Sequence, residues 1–368
     1  MSIARSRAGV GRGVALALAL VGLGLGCVPS YRGAPPLTFA QLPYRSLQGR
    51  AWPLSYFVST ALPERYGMRT PRLRVAFVEL NPKGARTIVF VHGMSAQLRH
   101  WQYQLDAFAA AGFRVLALDL PGYGKSDKPG SFPYTMEALA DVLLELLDRQ
   151  AIAQPIVVGH SMGGHLALSL AMRHPGRLGA LVLTNSAGLE AFSRRERAWF
   201  EKVTTIGSMG GSLSEYALWG TFRLRLFSRW RDELGWLIEE RVRLQRSGAE
   251  FEQSLYAMVK CVRSMSQTEF TRQHLRRLAL PTLIVFGADD RLIPNAELHG
   301  GTTRGLMAGA QREIRGSTLV GLARCGHMPQ LDCPREYNRA VLDWLATARV
   351  QQATRPRALA AAAERPGA

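Results

Sequence analysis

A chain of 368 residues with 47% apolar side chains is long enough to bury one large core or two ordinary ones. Charged residues make up only 20% and seven Trp are spread along the chain, which excludes wholesale disorder; four Cys exclude a disulfide-stapled miniprotein or a multi-zinc array. The net charge of +18 leaves nucleic acid, an anionic surface or plain solubility as readings.

In chain order, residues 1–26 read as an export signal. Arg5, Arg7 and Arg12 give a basic start, and residues 14–25 are small or apolar. A helix of that length reaches about 18 Å against about 30 Å of hydrocarbon, which suits a signal and is too short for a stable span. The run Gly24-Leu25-Gly26-Cys27 resembles the lipobox of bacterial lipoproteins, in which the cysteine becomes the lipidated first residue. Gly24 stands where such boxes usually carry Leu. The resemblance implies a lipid anchor on Cys27 and a place in a bacterial envelope, facing the periplasm; secretion after cleavage at a nearby small residue is the alternative. Residues 27–50 read as a tether and N-terminal extension, because 28–36 hold Gly, Ser and Pro with few large side chains.

The middle of the chain alternates apolar runs with amphipathic stretches. Strands are predicted at 74–80, 87–91, 114–118, 155–158, 180–184, 282–286 and 318–322. Helices are predicted at 98–111, 136–149, 162–174 and 334–345, the second with Met136, Leu139, Leu143 and Leu147 at helical spacing. Buried apolar strands separated by helices imply an α/β fold with a mainly parallel central sheet and helices on both faces. Residues 186–280 break the rhythm with four helices, at 194–203, 213–228, 230–246 and 249–264, and no strand between them. Such an insertion reads as a lid over the strand ends, where these sheets bind ligands. The core therefore splits into 51–185 and 281–346 around a lid at 186–280, and 347–368, rich in Arg, Pro and Ala, reads as a disordered tail.

The most informative run is Gly159-His160-Ser161-Met162-Gly163, a Gly-x-Ser-x-Gly placed between an apolar strand and a helix. A turn sharp enough to present the serine tolerates no bulk two residues to either side, which accounts for Gly159 and Gly163. The helix that follows turns its positive dipole end toward the serine. Three further runs accompany it: Val91-His92-Gly93-Met94 after a strand, Gly287-Ala288-Asp289-Asp290-Arg291-Leu292-Ile293-Pro294 after another, and Cys325-Gly326-His327-Met328-Pro329 after the last.

On these four motifs residues 70–346 resemble the α/β-hydrolase family, in its serine esterase and lipase-like branch. The resemblance implies Ser161 as nucleophile, Asp290 as acid, with Asp289 its competitor, and His327 as base among eight histidines. It also implies an oxyanion hole made by the backbone N–H groups of Met94 and Met162, with His92 and Gly93 shaping the first of these loops. The order Ser, Asp, His is that of this family. Asp119-Leu120-Pro121-Gly122-Tyr123-Gly124-Lys125-Ser126 lacks the first glycine of a phosphate loop and matches a structural loop of the same family. No dinucleotide fingerprint or metal-ligand cluster is present, so no cofactor and no metal are expected. Cys325 and Cys333 flank His327; spacing leaves pairing open, and buried thiols are the default.

The reaction this implies is cleavage of a carboxylic ester, a small-molecule or lipid-like one, through an acyl-enzyme. Ser161 argues against haloalkane dehalogenases and epoxide hydrolases, which carry Asp at the elbow. C–C bond hydrolases of the family usually carry Asn before the serine and Trp after the histidine, where this chain has His160 and Met328. A cofactor-free haloperoxidase or perhydrolase and a non-catalytic binding protein on the same fold complete the alternatives. Nucleic acid is not an expected partner: only five of the 46 basic residues are Lys, and the lid carries sixteen basic and eleven acidic residues without a basic run. The oligomeric state has no signature.

Overall fold

Val, Ile, Leu and Phe dominate the runs that become the inner strands, and such runs are stable only when both sheet faces are covered. The computed structural model describes residues 29–354, apart from 212–213, 268–269 and 299. Eight strands form one sheet: β1 (Leu54–Ser59), β2 (Leu73–Leu80), β3 (Arg86–Val91), β4 (Phe113–Leu118), β5 (Ile156–His160), β6 (Ala180–Thr184), β7 (Thr282–Gly287) and β8 (Thr318–Leu322). Their order is β1-β2-β4-β3-β5-β6-β7-β8, antiparallel at β1–β2 and β2–β4 and parallel from β4 onward. Register pairs Val91 with Gly159, His160 with Thr184 and Gly287 with Leu322, so the C-terminal ends of β3, β5, β6, β7 and β8 open on one side of the sheet. The loops at those ends carry the four motifs. The α/β architecture is thus the expected one.

Helices α1 (Gln102–Ala110), α2 (Met136–Arg149), α3 (Met162–Arg173), α4 (Thr303–Glu313) and α5 (Pro334–Leu345) cover the sheet. In α2, Thr135 accepts from the Ala138 amide as N-cap, and nine residues from Met136 to Leu147 are buried. Every side chain from Met162 to Ala171 in α3 is buried, which fixes the helix that starts at Ser161. Among the elements not visible in the pattern are β1 and α4. β1 reads LSYFVS, with no apolar run, because it lies at the sheet edge with Tyr56 and Val58 exposed. α4 buries only Thr303, Met307 and Ala310.

The lid departs from its expected helices where the core pulls on it. Residues 194–203 form the predicted helix, but 213–228 break into Glu215–Gly220 and a widened turn at Thr221–Leu226. The Asp332 carboxylate, from the C-terminal half of the core, accepts from the amides of Ser228 (2.7 Å) and Arg229 (2.8 Å), and this capture draws the chain out of the helix. The predicted helix 230–246 is confined to Trp236–Leu244, the predicted helix 249–264 runs from Ala249 to Gln267, and a short helix, Phe270–His274, follows it.

Three expectations are corrected. Residues 29–44 are not a free tether: the Trp219 indole donates to the Pro29 carbonyl (3.2 Å), Glu215 accepts from the Ser30 hydroxyl (2.9 Å) and the Tyr31 amide (2.6 Å), and Leu37, Phe39, Leu42 and Tyr44 are buried. The partners of Pro29, Ser30 and Tyr31 lie more than 180 residues away in the lid, a pairing no local composition can announce. The tail expected to be disordered over 347–368 is ordered at its start, since Ala348–Ala353 are helical with Val350 buried; 355–368 lie outside the described residues. Cys325 and Cys333 form a disulfide rather than two buried thiols, with Cα atoms 6.0 Å apart; Cys261 is a buried free thiol. The export signal and Cys27 also lie outside the described residues.

Candidate active site

Ser161 sits between β5 and α3 with φ 51° and ψ −116°, a left-handed conformation that costs a non-glycine residue about 1–3 kcal/mol. The surroundings enforce it. The Ser161 amide donates to Thr184 O (3.0 Å) in β6, and its carbonyl accepts from Gly164, His165 and Ala187. A side chain on Gly159 would meet Gly163 O at 2.4 Å, and one on Gly163 would meet Val91 O at 2.4 Å. Both glycines of the motif are therefore required by backbone packing.

The loop after β3 lies against this turn. A Cβ on Gly93 would stand 2.8 Å from His160 Nδ1 and 3.1 Å from Ser161 Cβ. His92 pins the loop by donating from Nδ1 to Gly93 O (2.7 Å) and accepting at Nε2 from the Leu120 amide (3.0 Å). Burial lowers its pKa to about 4, so it is neutral and able to fill both roles. Met94 and Ser161 line one cavity, and the Met162 amide opens helix α3 directly behind the serine.

His327 and Asp290 arrive from the loops after β8 and β7. Asp290 Oδ2 accepts from His327 Nδ1 at 2.9 Å, with the carboxylate wholly buried. Asp289, the competitor, bonds instead to the Ser228 hydroxyl (2.5 Å). Burial pushes the Asp290 pKa up, but His327 and donors from the Leu292 amide (2.8 Å) and the Asn185 side chain (2.7 Å) outweigh it, so the net shift is downward and the carboxylate stays ionised. His160 holds the backbone of the same loop, donating from Nε2 to His327 O (2.9 Å), and burial keeps its ring neutral. The disulfide Cys325–Cys333 and the bond from the Gly326 amide to Asp332 (2.6 Å) brace this loop from the other side. His327 and Ser161 line the same cavity of about 260 Å³, roofed by lid residues. No hydrogen bond joins them among the described residues; such contacts often tighten only around substrate.

A family model described as the alpha/beta hydrolase family matches residues 88–340. The chain belongs to that family. Its relatives include the 2-hydroxy-6-oxononadienedioate/2-hydroxy-6-oxononatrienedioate hydrolase of Cupriavidus pinatubonensis, 30% identical over 270 residues, covering 71% of this chain and 87% of the relative. The bifunctional epoxide hydrolase 2 of Sus scrofa is 26% identical over 337 residues; 82% of this chain is covered, spanning 58% of that longer protein. Among solved structures, a probable hydrolytic enzyme from Pseudomonas aeruginosa PAO1 superposes with a TM-score of 0.72 at 28% identity, covering 86% of this chain and all of the other. A thermophilic esterase from Thermogutta terrifontis shares the fold, with a TM-score of 0.62 at 22% identity, covering 82% and 99% of the two chains.

This hydrolase also places residues at the site that sequence reasoning missed. Asn185, with φ 40°, ties Asp290 to the sheet by donating to its carboxylate while accepting from the Gly287 amide (3.0 Å). Its signal was a polar residue just past an apolar strand. Tyr123, from the loop read as mostly structural, lines the cavity, and its hydroxyl reaches Met162 Sδ (3.9 Å). Glu240 and Arg241 enter the cavity from lid helix Trp236–Leu244, which the sequence marked only as a lid helix.

Proposed function

We propose that this hydrolase cleaves carboxylic esters through an acyl-enzyme on Ser161. The observation that carries the reading is the conjunction of a strained serine at a helix N-terminus with a His327–Asp290 pair bordering the same lidded cavity. His327, held in one tautomer by Asp290, takes the proton of Ser161 as the serine oxygen attacks the ester carbonyl. The Met94 and Met162 amides stabilise the developing oxyanion, and His327 returns the proton to the departing alcohol. Water, deprotonated by His327, then releases the acid and restores Ser161.

Apolar side chains dominate the cavity wall, Leu218, Phe222, Leu237 and Met258 among them, which supports a substrate with an extended hydrocarbon part. The similarity to the Cupriavidus hydrolase favours C–C bond cleavage as the second reading, on the same three residues. His160 and Met328 stand where those enzymes usually carry Asn and Trp, which places the ester first. A fluorophosphonate probe and p-nitrophenyl esters from acetate to palmitate test it. Wild type takes up the label and turns over the esters. Ser161→Ala remains folded by circular dichroism, does neither, and loses about 10⁶-fold in kcat. An unlabelled wild type, or a Ser161→Ala protein with full turnover, sinks the proposal.

We further propose export and lipidation at Cys27. The basic start, the short apolar run and Gly24-Leu25-Gly26-Cys27 support this reading. Expressed in a bacterium with labelled palmitate, the full chain is expected to carry label and fractionate with membranes, and Cys27→Ala to lose both. Equal labelling of the two rejects the anchor.

A further inference from the structure

The cavity over Ser161 contains one cation that the ester reading does not use. Arg241, half-buried on lid helix Trp236–Leu244, is the only Lys or Arg among the described residues of the wall. Its guanidinium lies 4.7 Å from the centre of the Phe251 ring, and one N–H donates to Met209 O (3.2 Å). No carboxylate pairs with it among the described residues. The neighbouring acid, Glu240, is committed elsewhere, accepting from the Gln97 side chain (2.7 Å) and from Arg99. A guanidinium carries five N–H donors in a planar fork, so most of this one's donor capacity is unused by protein. Burial lowers its pKa only to about 10, leaving it charged at neutral pH.

Even a half-buried charge in an apolar cavity is costly without a counter-ion, and the missing partner is supplied most simply by the ligand. We propose that Arg241 is a specificity-determining residue that binds a carboxylate on the substrate arm lying under the lid, so that the preferred esters are half-esters of dicarboxylic acids, with one anionic end. One guanidinium balances one negative charge, and its fork matches two carboxylate oxygens; a phosphate dianion would leave a charge uncompensated. The inference rests on the ester reading for its assay but not for its binding site.

The test compares two p-nitrophenyl esters of equal acyl length, the hexanoate and the half-ester of hexanedioic acid, on wild type, Arg241→Leu and Arg241→Lys. Wild type is expected to favour the carboxylate-ended ester by about tenfold or more in kcat/KM at neutral pH and low salt. Arg241→Leu brings the ratio to near one, and Arg241→Lys keeps part of the preference because the charge remains without the fork. A structural role for Arg241, packing Phe251 and holding Met209 O, would lower both esters together and leave the ratio unchanged. That result, or a wild type with no preference, overturns the proposal. Since Arg241→Leu could misfold, the wild-type ratio and the Arg241→Lys ratio stand as independent readouts. Calorimetric titration of Ser161→Ala with monomethyl hexanedioate separates the two hypotheses. Binding weakened about tenfold or more by adding Arg241→Leu, in a wild type that turns over no ester, upholds the anion site and rejects the ester reading. Ester turnover without an Arg241-dependent preference does the reverse.

Discussion

Asp290→Asn is expected to lower kcat on a p-nitrophenyl ester by about 10⁴-fold while the protein stays folded. The carboxylate receives His327 Nδ1 at 2.9 Å, and a neutral amide there can present an N–H in place of an acceptor. The imidazole is then driven toward the tautomer with its proton on Nε2, the nitrogen that must accept from Ser161. The Leu292 amide donates to the other oxygen, Oδ1, which the substituted side chain keeps, so it stays in place while its N–H stands where Oδ2 received His327 and Asn185, and the loss falls on kcat. Asp289→Asn is the matched comparison, since its carboxylate meets Ser228 and not His327. If the two variants lose activity equally, the assignment of the acid is wrong.

Gly163→Ala is expected to destabilise the fold by about 3 kcal/mol or more and to abolish esterase activity in whatever folds. The added methyl would stand 2.4 Å from Val91 O and 2.7 Å from His92 O. Both obstacles are backbone, one at the end of a central strand and the other in the loop before Met94, so neither can turn aside as a flexible side chain could. Relief requires shifting α3 away from β3, which moves Ser161 off the cavity wall. Gly176→Ala provides the contrast: its φ of 81° brings strain, but nothing lies within 4 Å of the new methyl, and about 1–2 kcal/mol is expected. Thermal melts of the three proteins rank the costs, and a Gly163→Ala protein as stable as Gly176→Ala would contradict the packing argument.

Much of this site could be read from the chain because its chemistry is written in short runs. Gly159, Ser161 and Gly163 are one turn, and a turn is a local object. Asp290 and His327 each follow an apolar strand closely, and residues at the C-terminal ends of parallel strands are brought together whatever lies between them. The choice between Asp289 and Asp290 was different. Composition does not distinguish adjacent aspartates, and the direction of each side chain depends on Ser228 and Asn185, which belong to the lid and to another strand.

The same division runs through the fold. β3, β5, β6 and β7 were legible because a strand buried on both faces must be apolar along its whole length. β1, with one edge in solvent, and α4, with three buried positions, carried no such demand. The packing of residues 29–44 on the lid and the breaking of lid helix 213–228 by Asp332 depend on partners more than a hundred positions away.

The sequence by itself determined the inner strands and the serine turn, because periodicity and tight turns act over a few residues; the order of the three site residues came with the family resemblance. The tertiary structure brought Asp290, favoured over Asp289 by the family spacing, against His327, and only it decided that Cys325 and Cys333 join and that Arg241 turns into the cavity without a counter-ion among the described residues. Each of these depends on distance in space between groups far apart in the chain, and hydrogen bonds and unpaired charge are properties of that distance.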